Sequence, residues 1–161
     1  TLHGTPIKTN GELPAVGSQA PDFTLTDADL NDLSLADFAG KKKLLNIIPS
    51  IDTPTCANST RVFNEKLGGR DDVVVLIVSA DLPFAQSRFC GAEGTADVKP
   101  LSMMRNKQFA DDYGVMIQDG PLAGITARAV VVLDTNNKVL HTEMVAEIAD
   151  EPDYPAAIAH L

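Results

Sequence analysis

Three near-continuous apolar runs, Leu44–Ile48, Val73–Ser79 and Ala129–Leu133, constrain the chain more than any other feature. Leucine, isoleucine and valine without regular polar alternation suit strands covered on both faces, not strands wet on one side. A fourth run, Val139–Val145, follows the third across Asp134-Thr135-Asn136-Asn137, a hairpin turn by composition. Helical segments are expected between and after these runs, over Pro54–Leu67, Pro83–Cys90, Asn106–Tyr113 and Tyr154–Leu161. Strands alternating with helices and closing on a hairpin read as an α/β fold, a mixed central sheet flanked by helices. The opening segment is expected to add an N-terminal β-hairpin, pairing Thr5–Lys8 with Gly11–Pro14 about an Asn10-Gly11 turn. No repeat or linker divides the chain, so residues 1–161 read as a single domain.

Charge and residue usage remove several function classes. The net charge is −9, from 22 acidic against 13 basic residues, and the one basic run, Lys41–Lys43, abuts an apolar strand. Nucleic-acid binding needs a basic patch that this sequence lacks. No apolar run approaches the roughly 18 residues of a membrane span. Thr1–Asn10 carries one lysine and no apolar stretch, unlike a secretory signal. An acidic chain opening this way is expected in the cytoplasm. Two cysteines are too few for a secreted disulfide scaffold, and histidines at 3, 141 and 160 are too scattered for a zinc site. Neither a metal nor an organic cofactor is expected.

Chemistry concentrates between Leu44 and Cys56. A buried strand is expected to end at Pro49, because proline cannot donate to a central ladder. Thr53 then suits a helix N-cap and Pro54 the first helical position, which places Cys56 third. Phe63 and Leu67 fall on the face of Cys56, and Gly68-Gly69 closes the helix. Unpaired N–H groups and the positive end of the helix dipole favour a thiolate in a first turn. A cysteine so placed suits either a reactive sulfur or a small buried apolar side chain.

The wording of the segment separates these readings. Pro49, Thr53 and Cys56 reproduce the Pro-x-x-x-Thr-x-x-Cys signature of peroxiredoxins. The chain resembles one branch of that family, the bacterial thiol peroxidases, which are atypical two-cysteine enzymes. The same branch is echoed in Pro49–Thr53, in Ser79–Gly94 and in Gly120–Gly124 running into Ala127–Asp134, and again in Glu151-Pro152-Asp153-Tyr154. Together these cover essentially the whole chain. Thr55 stands where the branch often has a small apolar residue.

The resemblance implies a thioredoxin-like fold and the reduction of hydrogen peroxide and organic hydroperoxides to water or alcohols, an antioxidant activity. Carried over by position, Cys56 is the peroxidatic cysteine, Cys90 the resolving cysteine and Arg128 the active-site arginine, with Thr53 and Pro49 completing the pocket. Arginine offers a permanent charge and a fixed fork of donors to the thiolate and to the departing oxygen. The Thr53 hydroxyl can position the peroxide, and Pro49 can shield the sulfur from water. The resemblance also implies an intramolecular Cys56–Cys90 disulfide, thioredoxin as reductant, and a homodimer. A disulfide needs Cα atoms about 4.4–6.8 Å apart, so cysteines on separate helices require a helix end to unwind. Two alternatives remain at this level. A thiol–disulfide oxidoreductase wants Cys-x-x-Cys at the helix start, where this chain has Thr53. A redox-switched binding or chaperone module would react with peroxide only as slowly as an ordinary thiol.

Overall fold

The computed structural model describes residues 1–161. Seven strands form one sheet in the order β2-β1-β5-β4-β3-β6-β7. In chain order they are β1 (Leu25–Thr26), β2 (Asp32–Leu33), β3 (Lys42–Ile47), β4 (Val73–Ser79), β5 (Val98–Ser102), β6 (Ala129–Leu133) and β7 (Val139–Met144). Strands β3, β4 and β5 run parallel, whereas β6 is antiparallel to β3 and to β7, which makes the sheet mixed. The helices are α1 (Pro54–Leu67), α2 (Pro83–Glu93), α3 (Gln108–Asp112) and α4 (Tyr154–Ile158), with a 3₁₀ turn at Leu35–Phe38. None is long and apolar enough to cross a membrane.

Alternate residues of the central strands serve two cores, which is why their sequence shows no polar alternation. Leu45, Ile47, Leu76, Val78, Val131 and Leu133 pack on one face with Phe109 and Tyr113. Leu44, Val75, Ile77, Val130 and Val132 pack on the other with Cys56, Phe63, Leu67, Phe89 and Ala157. The second face therefore carries α1, α2 and α4, and the Cys56 sulfur lies in its core.

The expected N-terminal hairpin is not there. Thr9 bridges to Ile117 rather than within its own segment, and Asn10 N–H donates to the Met116 carbonyl at 2.9 Å. The Asn10 side chain reaches Asp111 and accepts from Met116 N–H, so its polar groups tie the segment to the 111–117 region instead of turning a hairpin. The first hairpin is instead β1–β2, with Leu25 opposite Leu33. Strand β5 was hidden from sequence reasoning by Pro100, which pairs with Ile77 of β4. Its missing N–H is tolerated because β1 pairs with β5 only at Thr26 and Ser102, leaving that side open at Pro100. The third and last helices are shorter than expected, and the first long strand begins at Lys42, drawing Lys43 into the interior. Its ammonium donates to the Asn137 side-chain oxygen Oδ1 at 2.7 Å, and burial lowers its pKa.

Candidate active site

The loop after β3 sets the geometry. Ile48 still donates to Val78 as a strand residue would, and Pro49, buried and without an N–H, ends the ladder. Thr53 is extended (φ −88°, ψ 146°) at the N-cap and Pro54 opens α1, so Cys56 is the third helical residue. The Thr53 hydroxyl does not cap the helix; it donates to the Ser50 carbonyl at 3.0 Å. Cys56 is fully buried among Ile48, Ile51 and Phe63. Its carbonyl accepts from the hydroxyls of Ser59 and Thr60, and Ser59 in turn accepts from Asn46 on β3.

Arg128, immediately before β6, comes from the far end of the sequence and is 2% exposed. Its Nη1 donates to Cys56 Sγ at 3.2 Å, and its Nε donates to the Ile148 carbonyl at 2.8 Å. Two bonds from one rigid planar group fix the direction of the charge. The Ile148 carbonyl is itself held, because the adjoining Glu147 carboxylate accepts from Ala149 N–H, Gly4 N–H and the Thr1 hydroxyl. Those bonds, the Ala149 and Gly4 amides foremost, hold Glu147 down to about 2. Beside this segment the Tyr154 ring meets Phe63 edge-on at 5.1 Å, and its hydroxyl donates to Glu151, which also accepts from Asn58 on α1. Burial first, then Glu151, pushes the Tyr154 phenol well above its ordinary range.

Cys90 occupies the last part of α2, half-buried against the same core as Cys56, and both are free thiols. Burial pushes the Cys90 thiol up, partly offset by the neighbouring Thr95 side chain. Gly94 ends α2 in the left-handed region (φ 67°), returning its N–H to the Cys90 carbonyl. Exposed ion pairs span the gap between the two cysteine-bearing segments, Arg88 with Asp52 at 3.2 Å and Arg61 with Glu93 at 2.8 Å. An open cleft of about 300 Å³ lies between them, lined by Thr53, Pro54, Ala57, Phe89 and Ala92 among others.

Cys56 and Arg128 are thus in direct contact, Thr53 flanks the helix start, and Pro49 closes the preceding strand. Cys90 stands on the adjacent helix, unbonded to Cys56. The Ile148 carbonyl escaped sequence reasoning because a backbone acceptor leaves no side-chain signature. The Tyr154–Glu151 pair had a signal, the Glu151-Pro152-Asp153-Tyr154 stretch, but no role attached to it. Chemically, a buried sulfur against a fixed cation can carry negative charge and pass it to an attacked group in a site closed to water.

The redoxin family profile matches residues 15–158. Thiol peroxidases of Mycobacterium tuberculosis and Mycobacterium bovis are each 57% identical over 161 residues, spanning all of this chain and 96% of theirs. Among solved structures, a peroxiredoxin-like protein from Aquifex aeolicus superposes with a TM-score of 0.91 at 36% identity, covering 99% of this chain and 92% of that one. A thiol peroxidase from Chromobacterium violaceum gives the same TM-score and coverages at 25% identity.

Proposed function

Since the chain belongs to the redoxin family and is a thiol peroxidase of the peroxiredoxin kind, we propose that it reduces hydrogen peroxide and alkyl or lipid hydroperoxides through a Cys56–Cys90 cycle. The observation that carries this reading is the 3.2 Å contact from Arg128 to a fully buried Cys56 sulfur at a helix start. The Cys56 thiolate attacks one peroxide oxygen in line. The O–O bond breaks, a sulfenic acid forms, and the departing alkoxide or hydroxide takes a proton to leave as alcohol or water. Arg128 stabilises negative charge on the sulfur and then on the leaving oxygen, as an oxyanion-hole donor does. Thr53 holds the peroxide, and Pro49 keeps water from the sulfur.

The Cys90 thiol then condenses with the sulfenic acid, forming the disulfide and releasing water. In the folded state Cys90 is a poor nucleophile, because burial keeps it protonated. Local unwinding brings it to Cys56 and at the same time wets it. Thioredoxin supplies two electrons and two protons from its dithiol and leaves oxidised, regenerating both thiols. The protein works as a single domain in the cytoplasm and as a homodimer. Cys56→Ser should abolish peroxide consumption. Cys90→Ser should complete one turnover per chain and then stall with thioredoxin and its reductase present. Sustained turnover by the Cys90 variant would remove that residue from the cycle, and a peroxide rate no faster than that of free cysteine would favour a redox-switched module.

A further inference from the structure

Asp81 lies just beyond β4, outside every role assigned so far, yet three donors converge on its carboxylate. The Ser50 hydroxyl donates to Oδ1 at 2.7 Å; Ile51 N–H and the Ser79 hydroxyl donate to Oδ2 at 2.7 and 2.6 Å. Such charge-assisted bonds are about twice as strong as neutral ones. Ser50 and Ile51 are the two halves of one peptide group in the loop before Cys56. That group is planar and trans, so its N–H and its carbonyl point in opposite directions and turn only together. The Ile51 N–H is held by Asp81, and the Ser50 carbonyl on the opposite side accepts the Thr53 hydroxyl at 3.0 Å. A hydroxyl has one proton. With that proton directed at Ser50, the Thr53 oxygen meets a substrate only as an acceptor, so the bound hydroperoxide must donate its own O–H.

We propose that Asp81 is a positioning residue for the peroxide step, fixing the Ser50–Ile51 peptide whose carbonyl holds the Thr53 hydroxyl proton, so that the Thr53 oxygen is left to accept from the hydroperoxide. The proposal rests on the reading of Thr53 as the peroxide-positioning group. Asp81 touches neither sulfur nor substrate; it acts through one rigid peptide. The same carboxylate reaches toward α2, since Ser79 also accepts from the buried Gln86 amide at 3.0 Å. The loop before Cys56 and the first turn of the Cys90 helix therefore share one anchor.

The test is a double-mutant cycle read with two electrophiles. Asp81→Asn keeps the shape but leaves one acceptor oxygen for three donors, and Thr53→Val removes the hydroxyl without disturbing a cap bond, since none exists. Cys56 oxidation by hydrogen peroxide and alkylation by iodoacetamide, which needs no peroxide orientation, are measured in the reduced full-length protein. Asp81→Asn should slow oxidation by about tenfold or more, as misplaced reacting groups do, while alkylation stays within about twofold. In the Thr53→Val background the same change should cost nothing further, whereas independent sites would add to within about twofold. Ser50→Ala, which deletes one bond to the carboxylate, should shift oxidation the same way by less, and it carries the test if Asp81→Asn does not fold. Equal losses in both backgrounds, or alkylation falling in step with oxidation, would overturn the role of Asp81 alone. A Thr53→Val protein with full peroxide rate would instead overturn the reading of Thr53 on which the proposal stands.

Discussion

Replacing Arg128 by glutamine separates what that residue does for chemistry from what it does for the fold. The substitution removes the donor 3.2 Å from Cys56 Sγ and the donor 2.8 Å from the Ile148 carbonyl. Losing one preorganised donor to developing negative charge costs about 10²–10³ in rate, or roughly 2.7–4 kcal/mol of transition-state stabilisation. The Ile148 carbonyl, left without its partner, costs about 1–3 kcal/mol of stability, partly offset because a buried charge is no longer desolvated. The net change should lower Tm by only a few degrees, at about 2–4 °C per kcal/mol for a chain this long. The protein contains no tryptophan, so the oxidation rate is best read by competition with a peroxidase of known rate, or by rapid quenching with a thiol-alkylating reagent. Arg128→Lys is the informative partner: it keeps the charge, but a single ammonium cannot reproduce a fork that holds two acceptors. It should recover part of the loss. A folded Arg128→Gln protein retaining more than about a tenth of the wild-type rate would refute the electrostatic argument. Full recovery by lysine would refute the claim that fixed direction matters.

Two further perturbations address the frame around the site. Glu147 has its pKa lowered from 4.5 to about 2 in the folded chain, so its contribution to stability is present above pH 4.5 and is lost as pH falls through about 2. Thermal unfolding followed from pH 6 to pH 2 should be less steep between those values for Glu147→Gln than for the wild type; parallel curves would show that Glu147 is not tied down. At Gly114, φ is +67° and an added Cβ would collide with the backbone of Glu12. Gly114→Ala should therefore destabilise by about 1–3 kcal/mol, measured by urea denaturation, with little change in the rate of Cys56 oxidation because the residue lies on the opposite core from the sulfur.

The parts of this protein legible in its sequence are those whose determinants are local. Helix α1 runs from Pro54 to Leu67 as read, because an extended threonine, a proline at N1 and a closing glycine pair are all adjacent in the chain. Strands β4 and β6 keep the boundaries read from their apolar runs, since burial on both faces leaves an unbroken signature. Asn10-Gly11 misled because its turn signal is genuine but weaker than the long-range bonds available to Asn10. Within the site, Pro49, Thr53 and Cys56 share eight residues and were readable together. Arg128 could be placed beside the sulfur only through family resemblance, 72 positions away. Asp81 sat inside a stretch already singled out for its wording, yet its role depends on which way one peptide faces, and that is a property of the folded loop.

In the proposed cycle the two cysteines impose opposite demands on the same fold: the sulfur that meets peroxide must be dry, and the disulfide that meets a reductant must be wet. In that cycle the distribution of anchors would decide which helix yields. Helix α1 buries six residues, including Phe63 and Leu67, and its first turn is bonded to β3 through Ser59 and Asn46. Helix α2 buries only Pro83, Gln86 and Phe89. Its polar anchor, Gln86, bonds Ser79 and the Leu101 carbonyl from the first turn. Beyond Phe89 little apolar surface is left to expose, and the solvent-screened Arg61–Glu93 pair holds the helix end only weakly. Opening the segment from Cys90 to Gly94 therefore costs far less than opening the start of α1. In the proposed cycle it would free the Cys90 thiol from the burial that suppresses it, while the Cys56 sulfur and the Arg128 fork beside it would stay in place until the sulfenic acid had formed.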